Sequence, residues 1–227
     1  MDEIGVAFFA LLLVLGLSPH LLLGAGYVRR PIGQVPHERR LALRQAGYKV
    51  TAVAYVVIGG IALVLDLGGA KRGLELLFTI PSLGVFLSWA VLASALCLVA
   101  WTASRRFVPS QIPAELLPRN AGERPLVLSG SLVEEYAFHG YLLALLLSLM
   151  IRVPLIPIAL VTVCFALFHG PRSEPFVRYL AIGTVLVLPV LATGSLLPSI
   201  VARAIVEIAS MTWPVGFDPR RPLPAPQ

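Results

Sequence analysis

The sequence predicts an all-α fold: a polytopic transmembrane helical bundle of about seven spans, N-terminus out and C-terminus in. Three observations carry this prediction. The 227 residues are 57% hydrophobic and 13% charged, with a mean hydropathy of +0.85; a water-soluble domain this apolar could not cover its surface. Apolar windows of roughly 18–25 residues recur, long enough to cross a hydrocarbon core of about 30 Å. The arginines gather between those windows. The net charge of +6 therefore reads as topogenic charge beside anionic lipid, and no nucleic-acid partner is expected.

The windows lie at roughly 4–24, 50–68, 81–102, 126–151, 153–169, 177–193 and 195–212. The first, from Ile4 to Leu23, is led by Asp2 and Glu3 rather than by basic residues and has no small-x-small cleavage site. It reads as an uncleaved span, interrupted by Pro19 and His20. Arg29, Arg30, Arg39, Arg40, Arg44 and Lys49, opposed only by Glu38, form a basic loop after it. A second such loop carries Arg105, Arg106, Arg119 and Arg124 against Glu115 and Glu123. Both belong on the cytoplasmic side. The Gly68–Ile80 loop and the turn at Arg152-Val153-Pro154 carry little charge and face outward. The loop with Arg172 and Arg178 and the tail with Arg220 and Arg221 return to the cytoplasm. The expected organisation is N-terminal spans and basic loops over 1–120, a catalytic helical core over 121–212 and a disordered proline-rich tail over 213–227. Cys97 and Cys164 fall inside apolar windows and read as buried free thiols.

An ionised side chain near mid-bilayer costs at least a few kcal/mol, so such residues are functional candidates by default. The fourth window contains Glu134, Glu135 and His139; the fifth ends in Phe165-Ala166-Leu167-Phe168-His169-Gly170; the seventh contains Arg203 and Glu207. At about 100° per residue, Glu135 and His139 lie one turn apart on one face, with Glu134 beside them, and Arg203 and Glu207 are likewise one turn apart. Glu134 sits roughly 12 Å along its helix from the cytoplasmic end. His169 closes the cytoplasmic end of the fifth span, and Arg203 and Glu207 occupy the cytoplasmic half of the seventh. Three helices thus place polar groups in one leaflet. A carboxylate with a nearby imidazole can activate water for attack on a carbonyl. Two adjacent carboxylates in a poorly solvated site do not both ionise freely, and Arg203 can stabilise a developing oxyanion. Gly140 and Gly170, each following a histidine, permit close helix approach.

On these residues the sequence resembles the CPBP family of intramembrane proteases, which includes the type II CAAX prenyl endopeptidases and bacterial relatives. The family's Glu-Glu-x-x-x-Arg motif appears as Glu134-Glu135-Tyr136-Ala137-Phe138-His139, and its Phe-x-x-x-His motif as Phe165 to His169. Its His-x-x-x-Asn motif, which follows a small-residue and proline segment, appears as Arg203-Ala204-Ile205-Val206-Glu207 after Gly194–Ile200. The resemblance covers roughly residues 120–212. It implies that Glu134 and His169 activate water, that Glu135 orients the site or accepts a hydrogen bond from substrate, and that third-motif side chains hold the oxyanion. It implies a membrane-anchored or lipidated protein or peptide as substrate and partner, with its terminal segment cut. It also implies a multi-pass location in a bacterial inner (plasma) membrane and no cofactor. Three departures stand out: His139 for Arg, Arg203 for His and Glu207 for Asn. The first two look like an exchange of cation and imidazole between helices. Arg203 can donate to an oxyanion, whereas ionised Glu207 cannot and pairs instead with Arg203. They mark a divergent bacterial branch, of which the myxosortases, thought to process C-terminal sorting tails, are one candidate.

Plainer readings stand beside this one. Glu134 and Glu135 can form a structural ion pair with Arg203, His169 can cap a helix end at the interface, and His139 can make a structural hydrogen bond. Zinc is the alternative cofactor, on Glu135, His139 and His169, although the usual metalloprotease pattern of two histidines flanking a glutamate is absent. A catalytically inactive membrane adaptor and a proton-coupled transporter are the alternative functions.

Overall fold

The computed structural model of the chain describes residues 37–69, 71–107, 123–150, 153–169 and 173–212. All the elements among these residues are helical: α1 His37–Gly68, α2 Arg72–Phe78, α3 Leu83–Phe107, α4 Glu123–Glu135, a π-helical segment π1 Tyr136–Leu142, α5 Leu143–Leu149, α6 Leu155–His169, α7 Ser173–Thr193 and α8 Leu197–Thr212. The expected first span and the proline-rich tail lie outside the described residues.

Three helical stretches are long and apolar enough to cross a membrane: Leu83–Ala103, Leu128–Leu149 and Phe176–Thr193. They coincide with the third, fourth and sixth expected windows. The fourth runs unbroken through α4, π1 and α5. The second window falls on α1, which turns by 104° into α2, and this bent pair passes the same test together. The fifth is a helix of 15 residues and the seventh one of 16, each about 22–24 Å long at 1.5 Å per residue. Both are shorter than the hydrocarbon core of about 30 Å. Exposed apolar side chains such as Val56, Val64, Leu83, Val91 and Val99 line the outer faces of α1 and α3, as lipid-facing helices require.

Two segments read as loops are helical instead. Arg39, Arg40, Arg44 and Lys49 belong to α1, which begins at His37. Residues 68–80 contain α2, folded back against π1. The reason is Asp66, a buried carboxylate that accepts hydrogen bonds from the backbone N–H groups of Gly73 (3.1 Å) and Leu74 (2.7 Å) and from the Tyr136 hydroxyl (2.8 Å). It thereby does for the first turn of α2 what a local capping side chain would do, and ties α2 to π1 in the same contact. At the other end of α2, Leu76 and Thr79 offer their carbonyl oxygens to the Leu196 N–H (2.9 Å) and the Ser195 hydroxyl (2.6 Å), which fixes the start of α8. A Cβ at Gly73 would lie 2.8 Å from Asp66 Oδ2 and 2.9 Å from Tyr141 Cα. Gly73→Ala is therefore expected to destabilise the fold by about 1–3 kcal/mol through overpacking, read as a lower unfolding midpoint in detergent.

The core lies where π1, α6, α7 and α8 meet. Phe138, Leu142, Leu143, Phe165, Phe168, Ile182, Leu186 and Leu196 are all essentially inaccessible, and the rings of Phe138, Phe165 and Phe168 pack edge-on or tilted at 5.4–5.5 Å. Cys97 and Cys164 are free and buried, as their apolar surroundings suggest.

Candidate active site

Glu134 and Glu135 end the α-helical part of the fourth span, and the π-helical segment begins at Tyr136. A π turn widens the helix by one residue per turn, and such turns recur at functional sites. Just before it the two adjacent glutamates, about 100° apart around the helix, enter different partnerships. Glu134 faces α6 and α8, while Glu135 faces its own chain one turn on.

Four of the six expected residues form one centre. Arg203 Nη2 lies 3.0 Å from Glu134 Oε2, 3.1 Å from His169 Nε2 and 2.7 Å from Glu207 Oε1, and His169 Nε2 lies 3.2 Å from Glu134 Oε2. Glu134 and Arg203 are each 2% exposed at the side chain, against 10% for His169 and 13% for Glu207. The His169 and Glu207 side chains are thus the centre's more open edge. A guanidinium Nη carries two hydrogens, yet three acceptors crowd this one, so one of the three always lacks its donor. Meanwhile Glu134 Oε1 and the Nε and Nη1 of Arg203 have no hydrogen-bond partner although fully buried. Unsatisfied buried polar atoms are rare in folded proteins and costly. Here a spare acceptor on Glu134 and spare donors on Arg203 belong to side chains already locked together.

His169 is held in one orientation. Its Nδ1 lies 2.9 Å from the Phe165 carbonyl oxygen, so Nδ1 carries the proton and Nε2 is turned toward Glu134 and Arg203. Its ring stacks on Tyr179 at 3.7 Å with an interplanar angle of 19°. The Arg203 guanidinium lies over Tyr179 at 5.3 Å and over Phe165 at 5.5 Å, within the range of cation–π attraction.

The remaining pair forms a second layer. His139 Nδ1 lies 2.9 Å from Glu135 Oε2, and both side chains are wholly buried. The Phe165 ring lies between the two histidines, 5.0 Å from His139 and 4.5 Å from His169. Glu135 and His139 thus brace the aromatic wall of the centre; the bonds that join the other four residues do not include them. Gly140 is buried, and a Cβ there would approach Leu196 Cδ2 to 3.2 Å, in keeping with its expected packing role. Gly170 lies outside the described residues.

Sequence reading missed Tyr179 and Tyr55. Each is an aromatic residue in an apolar helix, a pattern that by itself means packing. Tyr55, on α1, lays its ring on Gly130, one helical turn before Glu134, where a Cβ would overlap Cε2 and Cδ2 of the ring.

The residues named for zinc do not converge. Glu135 and His139 bind each other, His169 belongs to the other centre, and no group of three or more His, Cys, Asp or Glu side chains among the described residues is arranged to hold a metal ion. The gap between Glu134 and His169 is bridged by the Arg203 guanidinium.

Residues 125–209 match the family model for type II CAAX prenyl endopeptidase Rce1-like proteins, which spans α4 through α8 and every residue of both layers. The match covers less than half of the chain and supports the CPBP resemblance that the motifs implied. The matched family implies a membrane protein of the CAAX-protease type and a membrane-associated protein substrate. No curated protein and no solved structure matches the chain.

Proposed function

We propose that the protein is an intramembrane endopeptidase that hydrolyses a peptide bond near the terminus of a membrane-anchored or lipidated protein, using water activated by Glu134 and His169. The observation that carries this reading is the buried, unpartnered Oε1 of Glu134 on a carboxylate clamped between His169 and Arg203. Water bound to Oε1 gives up one proton to Glu134 as its oxygen attacks the scissile carbonyl. The carbonyl π pair moves onto oxygen, where the free Nε and Nη1 of Arg203 receive the negative charge. Collapse of the tetrahedral intermediate restores the carbonyl and breaks the C–N bond. The proton held by Glu134 passes to the leaving amine, directly or by way of His169 Nε2. Glu207 holds Arg203 in place by its 2.7 Å bond, and Glu135 with His139 holds the Phe165 wall.

The mechanism is of the glutamic type, supported by the Arg203 guanidinium, a fixed cation bonded to both Glu134 and His169. The protein works as a multi-pass protein of a bacterial inner membrane, N-terminus out and C-terminus in, with the centre in the cytoplasmic leaflet. The same ion pairs would also hold together a catalytically inactive adaptor, since Arg203 neutralises two buried carboxylates as a purely structural group would.

Comparison of protein termini in the membrane proteome of cells carrying wild type, Glu134→Ala or His169→Ala separates the two. Specific uncut precursors are expected to accumulate in both mutants at normal protein levels. Termini unchanged in both, with a phenotype only on deletion, would replace the protease reading with the adaptor.

A further inference from the structure

The family match begins at residue 125, yet a helix well before it packs a side chain one turn from the candidate base. Tyr55 sits on α1, half-buried, with its ring against Gly130. Gly130 lies one helical turn before Glu134, so a ring seated there runs along the helix face toward the carboxylate. A second contact fixes the ring from the other side: its centroid is 6.3 Å from that of Phe168, the residue preceding His169. Tyr55 therefore touches both helices that carry the water-activating pair, with Cζ, the ring carbon that bears the hydroxyl, among the atoms nearest Gly130, and Glu134 Oε1 has no hydrogen-bond partner.

We propose that Tyr55 is a positioning residue for the reaction, donating its hydroxyl proton to one lone pair of Glu134 Oε1 and so aiming the other at the attacking water. The inference rests on the proposed protease reading. A carboxylate oxygen has two lone pairs. Arg203 and His169 both hold Oε2, so Oε1 is the end of the carboxylate left without a fixed direction, and the tyrosine supplies one. The ring contacts with Gly130 and Phe168 supply the rigidity; the hydroxyl supplies the aim. The catalytic unit then extends beyond the matched segment and includes α1.

Tyr55→Phe is the discriminating variant, because it keeps the ring on Gly130 and Phe168 and deletes only the hydroxyl. Membranes from cells carrying Glu134→Ala, in which uncut precursors accumulate, serve as the substrate for purified full-length protein in detergent. Release of the new terminus is followed by mass spectrometry over a dilution series of those membranes. The expected result is a saturating rate about tenfold lower, consistent with losing one hydrogen bond to a charged group. The half-saturating amount of membrane and the unfolding midpoint stay as in wild type. A wild-type saturating rate would overturn the inference, and so would a change confined to half-saturation, which would place Tyr55 against substrate instead. Glu134→Gln run alongside separates the two levels: if it cuts as fast as wild type, the protease reading itself fails.

Discussion

Glu134→Gln is expected to lower the rate of precursor cleavage by about 10³-fold, within the range that general-base catalysis contributes, while the protein still folds. Glutamine has the glutamate's shape and can still accept the Arg203 bond through its amide oxygen. What it lacks is a lone pair basic enough to take a proton from water. Glu134 is buried with Oε1 free, so the substitution changes the chemistry at one atom and leaves the packing around it alone. Cleavage in detergent-solubilised membranes measures the rate, and the unfolding midpoint of the same preparation checks the fold. Retention of more than about a tenth of the wild-type rate would mean that Glu134 is not the general base.

Arg203 shows the opposite balance, with stability affected first. It is the one cation bonded to both Glu134 and Glu207 among the described residues, at 3.0 and 2.7 Å, and is itself buried. Arg203→Met fills the space with an apolar chain and deprives both carboxylates of the guanidinium they share. Removing one partner of a buried pair costs about 3–5 kcal/mol, a large share of the stability of a small bundle. The expected result is a sharply lower unfolding midpoint, with a substantial part recovered when Glu207→Gln is added. Arg203→Lys keeps the charge and much of the stability but loses the planar fork. Its cleavage rate should fall about 10²-fold if Nε and Nη1 hold the oxyanion, as removal of a single oxyanion donor does elsewhere. An Arg203→Met protein as stable as wild type would show that the two carboxylates are not held as ions.

The residues of this centre were legible in the sequence because each is expensive where it stands. Glu134, Glu135, His139, Arg203 and Glu207 interrupt apolar runs, and His169 closes one. The one-turn spacing also gave the Glu135–His139 and Arg203–Glu207 contacts correctly, since an i,i+4 separation fixes two side chains on one face. The joining of Glu134 to His169 and Arg203, 35 and 69 residues further along the chain, was legible only as three helices sharing a leaflet. The division of the acidic pair between two layers was not legible. It depends on which groups pack beside each carboxylate, α6 and α8 beside Glu134 and its own helix beside Glu135, which no local residue preference announces. Tyr55 and Tyr179 were silent for a related reason: an aromatic residue in an apolar helix looks the same whether it fills a core or seats a carboxylate. Nor did the sequence distinguish the folded-back α2 from a loop, because the group that caps it, Asp66, stands on another helix.

The central claim is that Glu134 and His169 make a nucleophile of water. The most direct measurement places purified wild-type protein with precursor-loaded membranes in heavy-oxygen water and weighs the newly formed C-terminal carboxyl by mass spectrometry. The account predicts one heavy oxygen in that carboxyl at the specific terminus, appearing with wild type and absent with Glu134→Gln or His169→Ala. A labelled terminus that forms equally fast with either variant, or no new terminus with wild type, would contradict it.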